Sequence, residues 1–205
     1  MIAIVDYGVG NLFSLSSSFG FIGMEAKVTG DAAEIRKADR IVLPGVGAFG
    51  DAADKLKETG LGELVREEAA KGKPLLGICL GMQLLFEKSF EYGEHEGLGL
   101  ISGQVVPMEG VIPSDLKIPH IGWNALVFPK DRPKAPLFRT INEGDCVYFV
   151  HSYFAEGCDR SLIASAEYGR LLTAAVAEGN VMGTQFHPEK SGQVGLKILK
   201  AFCEM

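Results

Sequence analysis

Residues 73–86 read Lys-Pro-Leu-Leu-Gly-Ile-Cys-Leu-Gly-Met-Gln-Leu-Leu-Phe, an apolar run that passes through a cysteine between glycines into a second apolar run. This order predicts a strand, a sharp turn and a helix. A nucleophile in a strand-to-helix turn of the G-x-S-x-G type has a strained backbone, so bulky residues do not fit two positions before or after it. Gly77 and Gly81 meet that requirement. Cys79 is therefore a candidate nucleophile at a helix N-terminus, where a thiolate is favoured, and the alternative is a buried structural cysteine.

The composition fits one α/β domain that spans residues 1–205, since 47% of the residues are hydrophobic and 22% are charged. The formal net charge is −6 and basic residues do not cluster, which argues against a nucleic-acid partner. No apolar run is long enough to span a membrane, and the first residues carry no basic leader. The sequence thus predicts a cytoplasmic protein without nucleic-acid or membrane partners.

Signals for metals and cofactors are weak. The four cysteines form no C-x-x-C pair and no zinc-like spacing with the four histidines, so we expect neither a disulfide framework nor a metal site. His95 lies in the acidic, glycine-rich segment 91–99, which leaves a weak metal site open beside the simpler interpretation as a surface loop. Gly8 and Gly10 follow the first strand, but Phe13 replaces the third glycine of G-x-G-x-x-G, which favours a tight turn over a dinucleotide site. We expect no cofactor.

The first half of the chain alternates strands with helices, and the second half contains mainly strands. In the first half, strands are predicted at 1–6, 25–28 and 40–43 and helices at 12–22, 31–37, 51–58 and 61–71. After residue 103, strands are predicted at 104–108, 123–128, 146–153, 162–168, 172–177 and 181–186, and a helix at 191–203. No long helix separates the later strands, so we expect antiparallel additions and the far edge of a mixed sheet there.

A glycine-rich loop, Pro44-Gly-Val-Gly47, follows the third predicted strand. A cysteine that attacks a carbonyl needs two donors for the developing oxyanion, one directly after the nucleophile and one in a neighbouring loop. The Leu80 N–H and the Gly45–Val46 region are the natural pair. The same loop can also serve as the entry turn of the helix at 51–58, and the two interpretations are compatible.

A candidate base lies near the end of the chain, in Gly183-Thr-Gln-Phe-His-Pro-Glu-Lys190. Residues i and i+2 of an extended segment point to the same side, and Pro188 fixes its own φ, so Glu189 can lie beside the imidazole of His187. A nucleophile, a base and an orienting carboxylate form the general activated-nucleophile arrangement. The alternative for His187 is a structural histidine at a strand end.

The elbow around Cys79 and the terminal His187-Pro-Glu189 resemble the signatures of the class I glutamine amidotransferases, and the likeness spans the whole chain. Four further segments are similar to the subgroup that serves a cyclase of histidine biosynthesis: Asp6-Tyr-Gly-Val-Gly-Asn11, Leu43-Pro-Gly-Val-Gly-Ala-Phe49, Lys117-Ile-Pro-His-Ile-Gly-Trp-Asn124 and Tyr148-Phe-Val-His-Ser-Tyr153. The resemblance implies a flavodoxin-like mixed sheet with helices on both faces. It also implies hydrolysis of L-glutamine through a cysteinyl thioester and transfer of ammonia to a (β/α)₈ cyclase subunit in a heterodimer.

The resemblance further implies roles for individual residues. Cys79 would attack the carboxamide, His187 would move the protons, and Glu189 would orient His187. Glutamine would contact Gly47, Gln83, Ser152 and Tyr153. The partner would contact Asn11, Trp123, Tyr148 and Lys190, since each lies in a family motif but is not needed for thioester chemistry. Gln83 could instead be an exposed helix residue, and Trp123 could belong to the core.

Three rival functions stay open. A glutaminase of another synthase is disfavoured by the segments 44–50 and 119–124. A non-catalytic regulatory module would be expected to lose the nucleophile, its base or the carboxylate, and the chain has all three. A stand-alone cysteine hydrolase would act on glutamine without a partner, which an assay of the purified protein would reveal.

Overall fold

The structure, a computed structural model, describes residues 1–205 and contains thirteen strands and six α-helices. The strands are β1 (Ile2–Val5), β2 (Ala26–Thr29), β3 (Arg40–Leu43), β4 (Leu75–Ile78), β5 (Phe86–Ser89), β6 (His95–Glu96), β7 (Ile101–Pro107), β8 (His120–Val127), β9 (Cys146–His151), β10 (Tyr153–Glu156), β11 (Leu162–Glu167), β12 (Leu171–Glu178) and β13 (Val181–Thr184). The helices are α1 (Leu12–Phe21), α2 (Ala32–Lys37), α3 (Phe49–Glu58), α4 (Leu61–Ala70), α5 (Leu80–Gln83) and α6 (Gly192–Cys203).

Nine strands form one mixed sheet in the order β2-β1-β3-β4-β13-β12-β11-β8-β9. The first five strands of this order are parallel, and the remaining four join them by antiparallel pairing. The parallel strands β1 and β4 are buried at every position, as expected for strands covered on both faces. The antiparallel pairing of β12, β11, β8 and β9 confirms the antiparallel additions expected at the far edge of the sheet.

Helices cover both faces of this sheet. On one face a cluster of 27 buried residues includes the apolar sides of α2, α3 and α4, with Ile35, Phe49 and Leu64 among them. On the other face a cluster of 25 residues includes Phe19 of α1 and Phe202 of α6. The two clusters are of similar size, so the sheet lies between two apolar layers. None of the helices is both long and apolar enough to cross a membrane.

A second sheet, in the order β10-β7-β5-β6, is absent from the sequence-based prediction. The helix expected after Cys79 is wrong in length, because α5 has only four residues and β5 begins at Phe86. Residues 84–86 are all buried and apolar, and such a run fits a helix or a strand equally well. The expected surface loop at 91–99 contains β6, and the strand expected at 146–153 divides at Ser152 between the two sheets.

The strand β13 departs from the antiparallel expectation for the second half of the chain. It lies in the middle of the main sheet, parallel to β4, with Gly183 opposite Gly77 and Thr184 opposite Ile78. The carboxyl ends of parallel neighbours meet at one edge of a sheet. The residues that follow β4 and β13 are therefore brought together.

Candidate active site

Cys79 lies directly after β4 in the turn into α5, with a backbone φ of 54°. A positive φ strains a residue that has a side chain, at a cost of about 1–3 kcal/mol. A Cβ atom on Gly81 would lie 1.9 Å from the Leu43 carbonyl oxygen, and one on Gly77 would lie 2.6 Å from the Gly81 carbonyl oxygen. Close backbone contacts therefore explain why both flanking positions are glycine.

His187 follows β13 and is fixed on several sides. Its Nδ1 lies 2.8 Å from Glu189 Oε1, and the side chains of both residues are 3% exposed. The His187 N–H donates to the Tyr148 carbonyl at 3.0 Å, and the His187 carbonyl accepts from the Ser191 hydroxyl at 2.6 Å. The carboxylate occupies Nδ1, so Nε2 is the ring nitrogen that is left for chemistry.

The charge state of His187 is set by its neighbours. Burial acts to lower the pKa of this imidazole, but hydrogen bonds to Cys79 and Glu189, together with their negative charges, outweigh burial. The pKa of His187 rises from 6.5 to about 9. The imidazolium form is therefore available at neutral pH.

A cavity of about 380 Å³ opens at this edge of the sheet. A space of this size can hold a small molecule such as an amino acid. Nine of the residues predicted for the site line it, namely Val46, Gly47, Cys79, Leu80, Gln83, Ser152, Tyr153, His187 and Lys190. The predicted residues Glu189 and Gly45 do not line the cavity, and each lies behind one that does.

The Pro44–Gly47 loop packs against the elbow. A Cβ atom on Gly45 would lie 2.7 Å from the Gly81 nitrogen, and the Pro44 carbonyl accepts a hydrogen bond from the Tyr7 hydroxyl at 2.7 Å. Burial and the negative charge of Cys79 raise the pKa of Tyr7, so its hydroxyl keeps the proton that it donates. The loop is thus anchored at Pro44 and Gly45, while Val46 and Gly47 face the cavity.

Gln83 is 5% exposed, so the alternative of an exposed helix residue is wrong. Its Nε2 donates to Gln185 Oε1 at 3.0 Å and to the Tyr153 carbonyl at 3.3 Å. Gln185 is fully buried, and its Nε2 lies 3.8 Å from Cys79 Sγ. Gln185 is not among the predicted site residues, although a glutamine within the apolar segment 181–186 is a usable signal.

Glu91 lines the cavity and is not among the predicted site residues. Its Oε2 accepts a hydrogen bond from the Phe49 N–H at 2.6 Å, at the N-terminus of α3. Burial raises the pKa of this carboxyl group. No local pattern distinguishes Glu91 from the other acidic residues of segment 91–99.

Three of the four residues expected at a partner surface lie together. Trp123 is 55% exposed, so the alternative of a core tryptophan is wrong. The Trp123 and Tyr148 rings meet edge to face with centroids 6.0 Å apart, and Lys190 Nζ lies 5.8 Å from the Tyr148 ring centroid. Asn11 precedes α1 and forms no hydrogen bond or aromatic contact with these three.

A larger groove, of about 460 Å³, lies between α3, α4 and residues 94–98. It contains none of the predicted site residues. His95 lines this groove and also packs against Gly50, where a Cβ atom would lie 2.7 Å from the His95 ring. No group of three or more histidine, cysteine, aspartate or glutamate side chains is arranged to hold a metal ion.

Comparison with known proteins identifies relatives over the full length of the chain. The family model described as Glutamine amidotransferase class-I matches residues 3–205. The chain is 51% identical to "Imidazole glycerol phosphate synthase subunit HisH" of Caldanaerobacter subterraneus subsp. tengcongensis, over 100% of this chain and 98% of the relative. Proteins of the same name from Syntrophotalea carbinolica and Sulfurimonas denitrificans are 50% and 52% identical, over 100% of this chain and 100% and 98% of the relatives.

Solved structures resemble the fold at lower identity. A glutamine amidotransferase crystal structure aligns with a TM-score of 0.76 and 18% identity, over 100% of this chain and 98% of its own. The structure of PurLQS from Thermotoga maritima aligns with a TM-score of 0.75 and 21% identity, over 99% of this chain and 97% of its own. The predicted fold class is confirmed by these likenesses.

Proposed function

The chain belongs to the class-I glutamine amidotransferase family, and on this basis we propose that it is the glutaminase subunit of an imidazole glycerol phosphate synthase. The reaction is the hydrolysis of L-glutamine to glutamate and ammonia. One observation carries the chemistry: Cys79 shares a cavity with His187, and Glu189 holds the other side of the His187 ring. The identity to proteins named HisH, over the full chain, favours this synthase over another amidotransferase.

The first half of the reaction forms a thioester. The Cys79 thiolate attacks the carboxamide carbon of glutamine, and the carbonyl electron pair moves onto oxygen in a tetrahedral intermediate. The Leu80 N–H and the Gly45–Val46 peptide region are the proposed donors to this oxyanion. Protonated His187 then gives its proton to the departing nitrogen, and the C–N bond breaks to release ammonia. The raised pKa of His187 supports this step.

The second half of the reaction releases glutamate. Neutral His187 accepts a proton from water while the water oxygen attacks the thioester carbon. Collapse of the second tetrahedral intermediate expels the Cys79 thiolate, and the imidazolium is regenerated for the next turnover. Glu189 keeps the ring oriented and stabilises its positive charge in both halves, which the 2.8 Å contact supports.

Polar groups around the cavity suit the rest of the glutamine molecule. The predicted contacts Gly47, Gln83, Ser152 and Tyr153 all line it. We add Glu91, because a carboxylate beside the cavity can bind the α-ammonium group of the substrate. Its hydrogen bond from the Phe49 N–H holds the side chain in place for that contact.

The proposed partner is a (β/α)₈ cyclase subunit that forms a heterodimer with this chain and receives the ammonia. The cluster of exposed Trp123, half-buried Tyr148 and exposed Lys190 supports a docking surface, since aromatic and cationic side chains at the surface commonly anchor interfaces. Lys190 also lines the cavity, so this cluster connects the substrate site with the proposed interface. Asn11 is the fourth proposed interface residue.

We also propose a cytoplasmic location. All four cysteines are free, which suits a reducing compartment. The absence of a helix that could cross a membrane is consistent with this location.

The proposal can be tested with the purified chain and a candidate cyclase. We expect the two proteins to copurify, and glutamate release to be much faster in the complex than in the isolated chain. Rapid hydrolysis by the isolated chain would favour a stand-alone hydrolase. Partner binding without any hydrolysis would favour a regulatory module.

A further inference from the structure

A chain of three hydrogen bonds runs behind the wall of the cavity. His151 Nδ1 lies 2.8 Å from the Tyr153 carbonyl oxygen. His151 Nε2 lies 3.1 Å from His120 Nδ1, and His120 Nε2 lies 2.8 Å from Asn124 Oδ1. His151 and Tyr153 line the cavity, whereas His120 and Asn124 belong to β8. This series of hydrogen bonds therefore joins the substrate site to β8 of the main sheet.

The groups at both ends of this series of hydrogen bonds are acceptors. The Tyr153 carbonyl can only accept. The orientation of the Asn124 amide is set by its nitrogen, which donates to the Glu167 carbonyl at 2.7 Å and so leaves Oδ1 facing His120. Rotating this amide would place two oxygens against each other. His151 Nδ1 and His120 Nε2 must therefore both carry hydrogen.

The inner contact then requires one more proton than two neutral rings contain. Each neutral imidazole carries a single N–H, and both are already used at the outer ends of the chain. Two neutral rings would direct lone pairs at each other across the 3.1 Å between His151 Nε2 and His120 Nδ1. One additional proton satisfies all three contacts and gives the pair a single positive charge.

The surroundings limit the pair to one such proton and place it on His120. Burial lowers the pKa of His151 to about 3, and the neighbouring His120 and His187 oppose a charge there. Burial also lowers the pKa of His120, and the hydrogen bond to Asn124 offsets only part of that effect, so this ring takes up the proton more readily than His151 but on the acidic side of its ordinary range. The His120 ring stacks on Tyr168 at 4.0 Å and on Phe149 at 5.1 Å between centroids, and aromatic faces stabilise a cation.

We propose that His120 and His151 form a positioning pair that binds one shared proton on acidification and thereby fixes the Tyr153 wall of the glutamine cavity. The kinetic consequence rests on the proposed glutaminase function. Other titratable groups face the pair from separate elements, namely Tyr168 after β11, His187 after β13, and Cys79, Glu91 and Lys190 around the cavity.

Loss of the shared proton breaks one of the three contacts, because the inner nitrogens then repel each other. The Tyr153 carbonyl also accepts from Gln83, so the wall that loosens is in direct contact with a proposed substrate ligand. A single hydrogen bond of this kind corresponds to roughly 2- to 10-fold in affinity. We therefore expect KM for glutamine to rise by roughly that factor as pH increases through the titration of His120.

The kinetic test compares the wild type with His120→Asn, each in complex with the cyclase partner, across a range of pH. The asparagine amide can donate to His151 Nε2 without an extra proton, so the pH-dependent rise in KM should disappear in this variant. His120→Leu lacks the donor and should show the high KM at every pH. Glu178→Gln, which changes an exposed carboxylate of β12 that does not line the cavity, should keep the wild-type profile. The kcat dependence that His187 produces should persist in all three variants.

Nuclear magnetic resonance of the full chain with isotope-labelled histidine supplies a second measurement that does not require catalysis. We expect His151 to keep hydrogen on Nδ1 only, and His120 to gain hydrogen on both nitrogens on acidification. Thermal unfolding of each variant checks the fold, and the result for His120→Asn is sufficient if His120→Leu does not fold.

The proposal is overturned if both rings stay neutral throughout, or if wild type and His120→Asn share one KM profile. Failure to hydrolyse glutamine in every complex would instead reject the proposed function. The spectra would still show whether the His120–His151 pair binds a shared proton.

Discussion

His187 Nδ1 lies 2.8 Å from Glu189 Oε1, and both side chains are almost completely shielded from solvent. Water cannot screen this pair, so the carboxylate acts strongly on the orientation and the charge of the ring. His187, which would transfer protons, therefore lies in the same short segment as Glu189, the carboxylate that orients the ring and favours its charged form. The proposed chemistry depends on this contact to keep the base oriented toward Cys79.

Replacing the proposed nucleophile should separate hydrolysis from assembly. We expect Cys79→Ala to abolish glutamine hydrolysis, because no other group in the cavity can form the thioester, while partner binding and synthesis from added ammonium salts persist. The matched control is Cys158→Ala, since Cys158 is buried away from the cavity. Thioester formation by Cys79→Ala would reject the assignment, and loss of ammonium-dependent synthesis would indicate misfolding.

Neutralising the orienting carboxylate should have a smaller effect. We expect Glu189→Gln to lower kcat by roughly 10²- to 10⁴-fold, less than His187→Ala or Cys79→Ala. The variant also loses a charge that raises the pKa of His187, so the alkaline limb of its pH–rate profile should move to lower pH. Exposed Glu178 provides the control Glu178→Gln. A fully active Glu189→Gln enzyme would mean that a different carboxylate serves the site.

The free energy of unfolding should depend on pH through His187. Its pKa in the fold, about 9, lies above the ordinary 6.5, so the protonated ring stabilises the fold fully below pH 6.5 and this contribution disappears as pH rises through about 9. The full contribution is about 3 kcal/mol. We expect the destabilisation caused by His187→Asn in urea unfolding to be largest at mildly acidic pH and to shrink on the alkaline side. A destabilisation that is constant with pH would contradict the raised pKa.

The glycine-rich loop should control how strongly the partner activates hydrolysis. Gly47 has a φ of 94°, and a Cβ atom there would contact nothing within 4 Å, so Gly47→Ala changes backbone preference without a clash. Gly45→Ala is a poorer probe, because its Cβ atom would press on the Gly81 nitrogen. We expect Gly47→Ala to change the ratio of partner-stimulated to basal rate, and Lys57→Ala on the surface to leave it unchanged.

The factor by which the partner activates hydrolysis indicates whether an oxyanion donor is misaligned in the isolated chain. One misaligned donor is worth roughly 10²- to 10³-fold in rate, which is the smallest activation expected if the loop completes the oxyanion site only in the complex. Steady-state rates of the isolated chain and of the complex measure it. Equal rates would show that the loop does not gate hydrolysis.

Features with local causes could be predicted from the sequence. The glycines around Cys79 and the spacing of His187 and Glu189 have short-range steric causes. A few consecutive residues are therefore enough to predict them. The central place of β13 is not visible, since alternation of side chains does not say which strands become neighbours. Gln185 comes near Cys79, and Glu91 lines the cavity, only through that long-range arrangement and through the second sheet. The roles of the individual site residues stay predictions.

The insertion of β13 beside β4 also has a consequence for the timing of synthesis. A ribosome produces the N-terminal part first, so Cys79 emerges well before β13 and the His187 that follows it. Until β13 enters the sheet, β4 lacks a neighbour on one side and the thiol has no base. An unfinished or C-terminally clipped chain can therefore fold part of its sheet without gaining the ability to release ammonia. The proposed glutaminase chemistry therefore becomes possible only after the C-terminal part of the chain has been made.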